Sequence, residues 1–124
     1  MVGCPAPFGS CLPLVLSNGG LVAPTGTYNP LALAPVVTLT FPQAMDESSD
    51  IALDEAIYRD ANVPLGVFCT NEYWLDSLTY ILEFVTAPPS TPPCTFEYAK
   101  ALSHLRTAAG QEYDAFGPIA LAAL

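Results

Sequence analysis

The sequence predicts an α+β protein: an extended amino-terminal arm with a short hairpin and one strand, a compact unit of three helices, and an extended apolar tail. Three observations lead there. Prolines at 5, 7, 13, 24, 30, 35 and 42 exclude a helix of useful length from the first 45 residues. Apolar side chains then recur at helical spacing in three stretches between about 50 and 110. Beyond Gly110, EYDAFGPIALAAL has no helix cap and reads as extended. The expected organisation is therefore 1–45 as arm, 46–110 as helical unit and 111–124 as tail.

Within the arm, LPLVLSNGGLVAP predicts a hairpin, with Asn18-Gly19 supplying the positive φ angles of a type I′ turn. PVVTLTF is the best strand of the chain. It is β-branched and puts Val37, Leu39 and Phe41 on one face, Val36, Thr38 and Thr40 on the other. After MDESSD, Leu53, Ile57 and Ala61 recur four apart, Ser49 or Asp50 can cap the first turn, and Val63-Pro64 stops the pattern, so a helix is expected over about 50–61. In NEYWLDSLTYILEFVTAPP, Trp74, Leu78, Ile81 and Val85 make one face and Glu72, Asp76, Thr79 and Glu83 another. Tyr80-Ile81-Leu82 breaks strand alternation, and a second helix is favoured over a strand. A third helix is expected in TFEYAKALSHLRTAAG, with Thr95 as cap, Tyr98, Leu102, Leu105 and Ala109 as apolar stripe, and Gly110 as stop.

Composition argues for contact with other molecules. Charged residues are 12% of the chain, about half of the roughly 25% that is usual, and apolar residues are 52%. So little charge leaves apolar surface that a partner would cover. Three Lys and Arg against twelve Asp and Glu give a net charge of -9, which repels a phosphate backbone and an anionic membrane, so no direct nucleic-acid partner is expected. Pro, Asp or Glu interrupts every apolar run before a membrane span is reached. The opening MVGCPAPFGSC lacks the basic start and apolar core of a secretory signal.

Chemistry-bearing residues are few. Cys4, Cys11, Cys69 and Cys94 make no C-x-x-C pair, and the single histidine, His104, completes no metal set, so neither metal nor cofactor is expected. Whether Cys4 bonds Cys11, or Cys69 bonds Cys94, stays open. His104 reads as a solvent-facing helix residue rather than a general base. Asp46-Glu47-Ser48-Ser49-Asp50 fails as a calcium loop, with Ile51 and Ile57 where Gly and a bidentate Glu are required, and reads instead as a solvated first helical turn. No catalytic residue is assigned and the chain is not expected to be an enzyme.

Two resemblances follow from these residues. APVVTLTFPQAMDESS, residues 34–49, resembles the early strand of bacterial immunoglobulin-like (Ig-like) surface repeats, in which a strand ending in Phe precedes a turn containing Met-Asp. That likeness implies an all-β Ig-like sandwich as the alternative fold and a surface or accessory binding module as the alternative function. The Pro-rich arm, acidic body, apolar tail and lack of catalytic residues are together similar to small virion proteins of tailed phages, the capsid cement proteins and head-to-tail adaptors. That resemblance implies a structural protein made in the cytoplasm and carried in a virion, docking on the protein subunits of a larger assembly or on copies of itself. Phe8, Leu12 and Tyr28 of the arm, Tyr73, Lys100 and Arg106 of the body, and Phe116 and Leu124 of the tail are the interface candidates.

Overall fold

Alternation predicts a strand in PVVTLTF, and one forms there: Val37, Leu39 and Phe41 are buried while Val36, Thr38 and Thr40 face outward. In this computed structural model the described residues are 4–6 and 8–11, for their backbone, and 21–30, 35–85 and 90–124. They form β1 (Cys4–Ala6), β2 (Phe8–Cys11), β3 (Thr25–Tyr28), β4 (Val36–Thr40), β5 (Ala56–Arg59), β6 (Val67–Phe68), β7 (Asn71–Asp76), β8 (Thr79–Glu83), β9 (Thr95–Tyr98) and β10 (Phe116–Ala123). Between β4 and β5 lies one turn of 3-10 helix, Leu53–Glu55. The hairpin expected around Asn18-Gly19 lies outside the described residues. The antiparallel pair β1–β2 sets Cys4 opposite Cys11.

The α+β expectation is therefore corrected: the described chain is almost wholly β-structure, and none of the three predicted helices exists. In the first, the residues spaced four apart are the outward ones, Leu53, Ile57 and Ala61, while the two-residue alternation of Ala56 and Tyr58 is what enters the core. The second is a hairpin, β7–β8, turned at Ser77-Leu78, where the Asp76 carboxylate accepts the Leu78 amide at 2.9 Å. Tyr80, Ile81 and Leu82 break alternation because β8 lies between β4 and β7 and is buried on both faces. The third gives β9, with Phe96 and Tyr98 inward, and then a long loop. Amides of Ala101, Leu102 and Ser103, which a helix would bond to its own carbonyls, are taken by the Glu55 carboxylate instead. Residues 116–123 of the expected tail form β10, which pairs with β3 and β9, and β4 pairs with β8.

Strands β3 to β10 form one eight-stranded sheet in the order β6-β5-β9-β10-β3-β4-β8-β7, in which β7-β8-β4-β3 make one antiparallel half and β6-β5-β9-β10 the other. The long β10 joins the halves: Phe116, Ile119 and Ala120 pair antiparallel with β9, and Leu121–Ala123 pair parallel with β3. Residues of both inner faces share one core, and a chain of rings runs through it from end to end. Tyr58, Phe84, Phe96, Phe116, Tyr113, Phe41, Trp74 and Tyr80 follow one another with centroids 4.4 to 6.4 Å apart.

Candidate functional site

Loop 41–55 passes from β4 to β5 and therefore from one half of the sheet to the other, and loop 99–115 joins β9 to β10 at the same end. The MDESSD segment does not float there. The Met45 side chain is buried, its amide bonds the Ser77 carbonyl at 2.7 Å, and its backbone bridges to Thr107. Asp46 accepts the amide and the hydroxyl of Ser48 and pairs with Arg106 at 3.0 Å. Those bonds, the Ser48 hydroxyl first, hold its carboxyl below the usual carboxylate range. Trp74 donates its indole N–H to the Ser49 carbonyl at 2.8 Å, and the Tyr80 hydroxyl takes the Ile51 amide. The segment is thus fastened to β7 and β8 on one side and to loop 99–115 on the other.

Loop 99–115 is held as firmly, and from a distance. Glu55, 5% exposed, accepts the amides of Ala101, Leu102 and Ser103 at 2.8 to 3.2 Å. Burial alone would raise its carboxyl, but the Ser103 side chain and these amides outweigh that and bring it down to about 2. Glu112 pairs with both Lys100 and His104, and Tyr113 closes the loop onto the core.

With both loops fixed, Ser48–Ala52 forms a ridge between two clefts that share Ser49 and Asp50. One, of about 360 Å³, is lined by Glu47, Ser49, Asp50, Glu72, Tyr73, Trp74 and Tyr80. The other, of about 290 Å³, lies against Leu102, Ser103, His104 and Arg106. The first is acidic. Burial, and secondly the Asp50 charge, push Glu72 up to about 7, and its Oε1 has no hydrogen-bond partner. Each of the chain's three Lys and Arg residues pairs with a carboxylate elsewhere, Arg59 with Glu97, Lys100 with Glu112 and Arg106 with Asp46. Among the described residues no group of three or more potential ligands could hold a metal ion.

The sequence-derived candidates scatter across the fold. Tyr28 and Phe116 are buried core residues. Tyr73 is 46% exposed and borders the acidic cleft. Lys100 and Arg106 both fasten loop 99–115, and Arg106 also lines the second cleft. Leu124 is exposed, with its amide on the Tyr28 carbonyl. Phe8 is in β2 by its backbone, and Leu12 lies outside the described residues. Sequence reasoning missed Glu72 and Asp50 as a pair, because nothing local links positions 22 residues apart, and it read both as solvated helix faces.

His104 is exposed and partnered by Glu112. Burial pushes the Cys69 thiol up to about 11, which keeps it protonated near neutrality. The buried Tyr58 hydroxyl donates to Asp60, itself buried, and Asp60 takes the Asn62 and Val63 amides, an arrangement that shapes the β5–β6 turn. No helix among the described residues is long and apolar enough to cross a membrane. Comparison with known proteins finds no matching family model, no matching curated protein and no matching solved structure.

Proposed function

We propose that the protein is a non-enzymatic binding module, an Ig-like sandwich that holds a protein partner at the end formed by loops 41–55 and 99–115. One observation carries this reading: the Ser48–Ala52 ridge is fastened to β7 and β8 through Trp74 and Tyr80 and to loop 99–115 through Ser103 and Arg106, and presents a cleft on each flank. A surface fixed in advance loses little conformational freedom on binding. Loops at the end of a sandwich are also where such folds carry recognition.

A photo-crosslinking amino acid at position 48, compared with one at position 62 on the opposite end, tests the reading in extracts of the producing cell. A partner captured at 48 and not at 62 supports it. Capture at neither position, or equally at both, removes the loop end from the function.

A second reading, a structural subunit of a larger assembly such as a virion, draws on exposed apolar side chains away from this end, among them Leu65 at 92% and Leu124 at 77% exposed. Light scattering of the full chain separates the two. A defined oligomer favours assembly through these surfaces, and a monomer favours the binding module.

A further inference from the structure

β7 is an edge strand. Among the described residues it pairs only with β8, and no other described strand lies along its far side. A register irregularity between Trp74 and Asp76 bends its end, which is how sheets commonly protect an edge, but Asn71–Trp74 runs regularly. Side chains alternate along it. Glu72 and Trp74 turn toward the acidic cleft, while Tyr73 and Leu75 face outward at 46% and 66% exposed. Of the twelve acids in the chain, Glu47, Asp50 and Glu72 line this one cleft, and no ion pair among the described residues reaches them. Glu72 keeps one carboxylate oxygen unpartnered, and the rings of Tyr73, Trp74 and Tyr80 stand beside it.

We infer that Asn71–Trp74 and the adjoining cleft receive an extended basic segment of a partner protein, which adds as a strand to the β7 edge and places a Lys or Arg side chain between Glu72 and Asp50. The inference rests on the binding-module reading and supplies the chemistry of its partner. Two independent features meet in it. An unpaired edge selects an extended backbone, because only a strand can use its free N–H and C=O groups. An added strand lies about 4.8 Å from β7 and sends alternate side chains to the same side as Glu72 and Trp74. A cation there meets carboxylates and aromatic faces together. The intervening side chains fall beside Tyr73 and Leu75, where apolar residues are favoured.

The test uses a blocked heptapeptide that alternates Lys with Val, titrated into the full-length protein and followed by the fluorescence of Trp74, the only tryptophan. Saturable, salt-sensitive binding is expected, with new hydrogen-exchange protection confined to residues 71–74. The double variant Glu72→Gln with Asp50→Asn, checked for an unchanged circular dichroism spectrum, should weaken binding at least tenfold. A peptide methylated on the backbone nitrogens of one edge should weaken it as much. Overturning results are no saturable binding, equal binding by the double variant, or equal binding by the methylated peptide or by n-butylammonium, which would make the cleft a site for free amines. Crosslinking of a partner at position 48 alongside any of these would leave the binding module standing and remove only the basic strand.

Discussion

Glu55 and Glu72 are two carboxylates with opposite environments, and each makes pH a direct probe of the loop end. Glu55 is held down to about 2 by bonds from the loop 46 to 48 residues away, so its contribution to stability is complete above the ordinary value of 4.5 and fades as pH falls toward 2. Glu55→Ala would leave three amides without their acceptor. A loss of about 2–3 kcal/mol at pH 7 is expected, shrinking toward zero at pH 2, measured by denaturant unfolding across that range. Glu72 is displaced the other way, to about 7, so the folded chain keeps a proton that the unfolded chain has released between 4.5 and 7. Stability therefore falls as pH rises through that window. Glu72→Gln should stabilise by about 1–2 kcal/mol at pH 8 and by nothing below pH 4.5, read in the same unfolding curves.

Among the elements, β10 is decisive, because it joins the two halves of the sheet and its start is irregular. Gly117 has φ +101°, and a Cβ added there would lie 2.7 Å from the Phe96 carbonyl oxygen and 3.0 Å from the Glu97 Cα, both backbone atoms of β9. Gly110, in loop 99–115, has φ +92° and nothing within 4 Å of its added Cβ. The comparison separates conformational strain from collision. Gly110→Ala should cost about 1 kcal/mol from the left-handed backbone alone, whereas Gly117→Ala should cost at least twice that because β9 must also move. Thermal melts of the two variants side by side decide it, and equal losses would mean that β9 yields freely. The hairpin β7–β8 shows why period is a weaker guide where a strand is covered on both faces: Tyr80-Ile81-Leu82 is a continuous buried run, and such runs fit either secondary structure.

At the scale of the whole molecule, the ring chain from Tyr58 to Tyr80 crosses from one half of the sheet to the other and through the loop end, so the parts should not unfold separately. Far-UV circular dichroism and Trp74 emission should report one coincident transition. Phe84, fully buried between Tyr58 and Phe96, tests the same unity. Phe84→Ala should lose about 3–5 kcal/mol and should lower the transition seen by Trp74, near the other end of the ring chain, by the same amount. Separate transitions would mean two independent halves.

What the sequence determined by itself is local in origin. The face of PVVTLTF was legible because an alternating β-branched strand needs only its own side chains to declare its buried side, and Val37, Leu39 and Phe41 do enter the core. The scarcity of charge was legible because it is a property of composition. Tertiary structure alone decided the rest. Four-residue spacing in 50–61 was a coincidence of outward-facing residues, and in 95–110 it joined the buried Tyr98 and Leu105 to the exposed Leu102 and Ala109; it lost to burial of Tyr58, Phe96 and Tyr98 and to capture of three amides by Glu55. The acidic cleft likewise exists because Trp74 and Tyr80 draw Ser49 and Ile51 onto β7 and β8, bringing Asp50 to Glu72. The physical reason is the same in each case: one remote hydrogen bond to a buried charge, or one aromatic ring taken out of water, outweighs the few tenths of a kcal/mol by which local propensities differ.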